Sequence, residues 1–65
     1  MKLNEHIKLE LTEAIKSTVK SGGTFPIEIH SSGKIKHKIC TTSESSGYLI
    51  ETIEVDGKDY LIYLV

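Results

Sequence analysis

Three residues able to bind a metal or move a proton, His30, His37 and Cys40, fall within eleven positions of the chain. Their spacing matches none of the recurring zinc patterns, which repeat closely spaced ligand pairs. The strand alternation set out below turns His37 to one face and His30 and Cys40 to the other, so the three do not converge. No metal ion or other cofactor is expected from them. Cys40 has lysines near it but no helix terminus, and reads as a half-buried bystander rather than a reactive thiol. Ser43, Ser45 and Ser46 have no base near them in sequence, and no glycine-rich stretch is followed by a helix that would hold a phosphate. Nucleophile, base and cavity are not legible together, so no enzyme activity is expected.

The elements that position these residues are a helix and four strands. Leu3, Ile7, Leu11, Ala14, Ile15 and Val19 share one stripe at the helical period, with Lys2, Glu5, His6, Glu13, Lys16 and Lys20 opposite. Asn4 supplies a cap, Glu5, Lys16 and Lys20 complement the macrodipole, and Gly22-Gly23 stops the helix, which should run from about Asn4 to Ser21. Leu9 lies off the stripe and reads as an incidental exposed leucine. From Thr24 the period drops to two. Phe25, Ile27 and Ile29 alternate with Pro26, Glu28 and His30, and Pro26 places this strand at a sheet edge. Ile35, His37 and Ile39 then alternate with Lys34, Lys36, Lys38 and Cys40 after a Ser31-Ser32-Gly33 loop. That loop sets Glu28 against Lys36 and Ile27 against His37. Tyr48 to Val55 and Lys58 to Val65 form a hairpin around Asp56-Gly57, with Ile53 against Tyr60 and Leu49 against Leu64. Short connections favour a meander in the order 1-2-3-4 with the helix across one face.

That order has a chemical consequence. Matching the apolar positions of strands two and three sets His37 opposite Glu51, the only ionisable side chains on the inward faces of the central strands. The expectation is a structural polar pair, each offsetting the burial cost of the other, rather than a general acid and its orienting carboxylate.

The face away from the helix divides in two. Lys34, Lys36 and Lys38 make a basic half that invites a nucleic-acid reading. Against it, the chain has no arginine, no aromatic lies among these lysines, and Glu28 and Glu54 are placed to neutralise Lys36 and Lys34. The other half is apolar: Tyr48, Ile50, Leu61, Tyr63 and Val65 form a patch that a single helix cannot also cover. It reads as a partner-binding surface, with the two tyrosines as anchors and the last strand as an unprotected edge.

Sixty-five residues with 38% apolar content hold one small domain, 1–65, with little room for an enclosed cavity. A net charge of −1 gives no bulk attraction to nucleic acid or membrane. One cysteine, no apolar leader and no apolar run long enough to span a bilayer point to the cytoplasm. The lysine-rich, alanine-poor composition resembles that of AT-rich bacterial and phage genomes. Together these readings give an α+β fold, an N-terminal amphipathic helix on a four-stranded antiparallel meander. The function expected is a small regulatory or interaction domain that homodimerises or docks a protein partner. A weak nucleic-acid binder is the alternative, and an enzyme using His37 and Glu51 the least favoured.

Overall fold

A computed structural model describes residues 3–31, 35–44 and 47–64. Helix α1 spans Glu5–Lys20, and strands β1 Ile27–Ser31, β2 Ile35–Cys40, β3 Tyr48–Val55 and β4 Lys58–Leu64 follow. The α+β class holds, with one helix and four antiparallel strands in a single open sheet.

Helix α1 starts and stops where its own residues dictate. Asn4 is extended, and its Oδ1 accepts the Ile7 N–H at 2.8 Å, satisfying one of the first-turn donors. At the other end Gly22 takes φ +78°, the Gly22 N–H reaches the Val19 carbonyl at 3.1 Å, and the Gly23 N–H reaches the Thr18 carbonyl at 2.9 Å. That pair of bonds is a Schellman cap, and the left-handed position in it needs glycine. Leu11 and Ile15 are fully buried, and Leu3 and Ile7 pack against the same core.

The core lies between α1 and the sheet. Ile39 comes from β2, Ile53 and Val55 from β3, and Tyr60 and Ile62 from β4, with Ile27 and Ile29 of β1 at its margin. Asp56 and Gly57 both have positive φ, +53° and +80°, the two-residue turn whose twist matches the strands it joins. Ile53 faces Tyr60 as the hairpin requires.

The strand order is β1-β2-β4-β3, not the meander. β4 lies inside the sheet, between β2 and β3, and β3 is an edge. The last apolar run accounts for this: Tyr60 to Leu64 is apolar at every position, and an interior place flanks its side chains with neighbouring strands' side chains on both sides, on both faces of the sheet. β2 and β3 therefore run parallel, which normally demands a long crossover. A short one suffices because the strands are offset: Cys40 at the end of β2 is level with Leu61, while Tyr48 at the start of β3 is level with Leu64.

Two registers also differ. In the first hairpin Ile27 faces Ile39, Glu28 faces Lys38 and Ile29 faces His37, a shift of two residues that keeps every side chain on its expected face. Gly33 and Lys34 of that loop lie outside the described residues. In β3 a bulge between Leu49 and Glu51 leaves Ile50 without an opposite residue, so Leu49 faces Tyr63 instead of Leu64. The extra residue turns the start of β3 over relative to the alternation of Glu51 to Val55.

Candidate interaction surface

The expected outer patch is not brought together on one face. Tyr63 is only 5% exposed, and its hydroxyl accepts the Glu44 N–H at 2.9 Å, so the β2–β3 connection lies over it. Leu61 is half-buried. The bulge carries Ile50 to the helix side, where it lines a cavity of about 210 Å³ with Leu3, Ile7, His37 and Leu64. Tyr48, opposite Leu64, is 58% exposed, and Val65 lies outside the described residues. β4 is not an edge.

The strand-two lysines are engaged with acids. The Lys36 ammonium lies 2.8 Å from Glu28, diagonal to it across the strands, and this hydrogen bond holds the Glu28 carboxyl below its usual range. Lys38 lies 3.0 Å from Glu44, and that hydrogen bond pushes its pKa up. Lys34 is outside the described residues.

His37 and Glu51 are not cross-strand neighbours, because β4 separates their strands. The register that set them opposite each other is overturned by the strand order. His37 faces Ile29 on one side and Leu64 on the other; it is 2% exposed, and burial pushes its pKa down. Glu51 instead ties the helix entry to β3. One oxygen accepts the Leu3 N–H at 3.1 Å, the other lies 3.1 Å from the Lys8 ammonium, and this contact raises the Lys8 pKa. Cys40 is buried rather than half-buried, and burial pushes its thiol pKa up. His30 is exposed on the outer side. Among the described residues no three His, Cys, Asp or Glu side chains are grouped to hold a metal ion, and no helix is long and apolar enough to cross a membrane.

What the structure does bring together is the outer edge of β3 and the flank of α1. Val55 and Lys58 close a two-residue turn and so form a bonded pair; alternation makes Ile53/Tyr60 and Glu51/Ile62 bonded pairs as well. The N–H and C=O groups of Thr52 and Glu54 therefore point away from β4, toward the open side. Along that side runs a groove of about 350 Å³, walled by Glu5, Lys8, Leu9 and Thr12 on the helix and by Thr52, Ile53 and Glu54 on the strand. Leu9, the residue off the helical stripe, is 60% exposed on its wall. On the opposite face of the sheet Glu54 stands directly across from Asp59, a like-charge pair that costs stability unless a cation neutralises it.

Sequence reasoning missed this surface by one error, the strand order. Two signals could have found it: the unbroken apolar run Tyr60 to Leu64, which marks an interior strand, and the polar content of Glu51, Thr52 and Glu54, which marks an edge. With β3 at the edge, Leu9 ceases to be incidental, because the helix packed over the sheet carries it beside that edge. Comparison of the chain with protein-family models, with curated proteins and with solved structures returned no match.

Proposed function

We propose that the chain is a non-enzymatic protein-interaction domain that binds an extended segment of a protein partner by strand addition to β3. One observation carries the reading: β3 has a strand neighbour on one side only, and on the other side its free backbone groups at Thr52 and Glu54 border a groove with an exposed leucine. Main-chain hydrogen bonds supply affinity in this mode, and pockets for alternate side chains supply specificity. β3 carries neither proline nor lysine, the usual blocks to edge pairing. The bulge at Leu49/Glu51 twists the start of the strand, so the straight template is Glu51 to Val55.

The partner's chemistry follows from the two faces. Of the side chains turned toward α1, the one that meets Leu9 is apolar, and its neighbours meet Glu5, Lys8 and Thr12 and are polar. One turned the other way lies beside Glu54, with Asp59 one strand further in, and is lysine or arginine. A second copy of this chain is the poorer occupant, because pairing β3 with β3 would add two more acids to that side without a cation.

The test uses a displayed random-peptide library selected on the whole chain. Enriched peptides should alternate apolar and polar residues and carry a basic residue. Thr52→Pro should weaken their binding by more than about tenfold with little change in the melting transition, since the Thr52 N–H makes no bond to β4. Leu9→Glu should weaken it too. Failure to enrich any peptide, or enriched peptides indifferent to Thr52→Pro, would overturn the reading. A parent that sediments as a dimer which Thr52→Pro dissociates would assign the edge to a second copy instead.

A further inference from the structure

A second concavity lies at the other end of the helix and is independent of the β3 edge reading. We propose that this cleft, between the last turns of α1 and the β3–β4 turn, binds a phosphorylated aromatic compound of about mononucleotide size.

Among the described residues, Lys8, Lys36 and Lys38 each hold a carboxylate. Lys16, Lys20 and Lys58 hold none, and all three line this one cleft. Asp56 is the single acid on its wall, so three cations face one anion. Lys16 and Lys20 are also four residues apart on the helix, where like charges repel. Their position near the helix C-terminus has a local explanation in the macrodipole, but Lys58 comes from a different element and does not share it. Most carbonyls in the last turn of α1 are capped, which weakens their opposition to an anion there. Those of Ser17, Thr18 and Val19 are taken up by the N–H groups of Ser21, Gly23 and Gly22.

Beneath the cations the cleft is apolar. The Phe25 and Tyr60 rings lie 5.1 Å apart at a tilt of 48°, Val55 lies beside them, and Val19 is 54% exposed between Lys16 and Lys20. The Lys58 ammonium sits 5.8 Å from the centre of the Tyr60 ring, on an exposed side chain that leans over the apolar floor. The volume, about 710 Å³, is in the range of small-molecule sites and far exceeds what one phosphate fills. Lysine ammoniums act as point charges toward phosphate; Tyr60 and Val55 are buried and back the floor, so the half-buried Phe25 ring and the exposed Val19 side chain are what it offers to the flat face of a base. A multiply charged anion with a ring satisfies both halves of the cleft; a bare anion or a neutral ring satisfies one.

The experiment is a titration of the whole chain, followed by backbone amide NMR, with AMP, adenosine and inorganic phosphate as separate probes. AMP should shift the amides of Val19, Lys20, Gly23 and Lys58 and bind at least about tenfold more tightly than adenosine or phosphate. Lys20→Glu and Lys58→Glu should each lower AMP affinity about tenfold or more, and Lys20→Gln, which removes the charge without reversing it, should lower it less. Lys36→Glu, outside the cleft, should leave it unchanged. A 5′-phosphorylated oligonucleotide binding more tightly than AMP would identify the source of the phosphate as a nucleic-acid end; weaker binding would identify a free nucleotide. No shift with AMP at millimolar concentration would overturn the proposal. So would equal affinity for phosphate and AMP, equal losses in Lys20→Glu and Lys36→Glu, or tighter binding of an aspartyl-phenylalanine peptide.

Discussion

His37 is a buried residue whose ionisation the fold constrains. Its imidazole, on β2 between β1 and β4, is buried on the helix side of the sheet, and burial holds its pKa below the ordinary value of 6.5. The unfolded chain therefore takes up its proton at a higher pH than the folded chain does. The stability this side chain permits is full above the ordinary value, and it falls as pH drops through the window below it, until the folded-state imidazole titrates as well. Urea midpoints should decline as pH falls below the ordinary imidazole value of 6.5, and His37→Leu should flatten that decline. A parent whose midpoint is constant across the window would show an imidazole open to water. The Glu28–Lys36 contact belongs to a lower window, since Glu28 gives up its contribution only as pH falls below the ordinary carboxyl value of 4.5. Glu51 offers a second test at this scale. It accepts a backbone N–H from the segment before α1 and holds Lys8 of the helix, so Glu51→Ala should cost on the order of 1–2 kcal/mol. Lys36→Ala, on the outer surface, should leave the urea midpoint nearly where it was. Equal losses in the two variants would mean that Glu51 fastens nothing.

Among the elements, those specified by neighbouring residues were legible and those specified by distant ones were not. The Asn4 cap, the stop at Gly22 and the Asp56-Gly57 turn are each encoded within a few positions, and each forms as its residues require. Gly57, at φ +80°, is the sharpest case: Gly57→Val should cost on the order of 1–2 kcal/mol through backbone strain, although a Cβ there would meet no atom within 4 Å. A melt unchanged by that substitution would show that the turn tolerates another geometry. The order of the strands depends on which apolar faces find each other across the whole chain, and alternation alone gives β2 the same inward pattern beside either hairpin strand. Pro26 did mark β1 as an edge, since proline acts locally on its own backbone. The bulge at Ile50 carries no glycine and no other local mark, so the faces of Tyr48 and Ile50 could not be read from their parity. The candidate surface was lost with the order, because it exists only where β3 has no neighbour.

At the scale of the molecule, the order β1-β2-β4-β3 makes one strand the hub of the sheet, and this can be checked amide by amide. In a meander β4 would be an edge, and every second N–H along it would face water. In the observed sheet Tyr60 and Ile62 bond toward β3, while Leu61 and Tyr63 bond toward β2, so consecutive amides of β4 are all engaged. Native-state hydrogen exchange should therefore find Tyr60, Leu61, Ile62 and Tyr63 uniformly protected and among the slowest in the protein, because they open only when the core of Ile39, Ile53 and Ile62 comes apart. On β3 the pattern should alternate: Ile53 and Val55 slow, Thr52 and Glu54 fast, since the latter two point to the open side. Alternating protection along β4 instead would restore the meander and remove the edge on which the strand-addition reading stands. The same measurement probes that reading in its positive form. Adding a peptide enriched on the chain should slow exchange at Thr52 and Glu54 while leaving β4 as it was, because a strand added to β3 bonds to those two amides and to none of the hub.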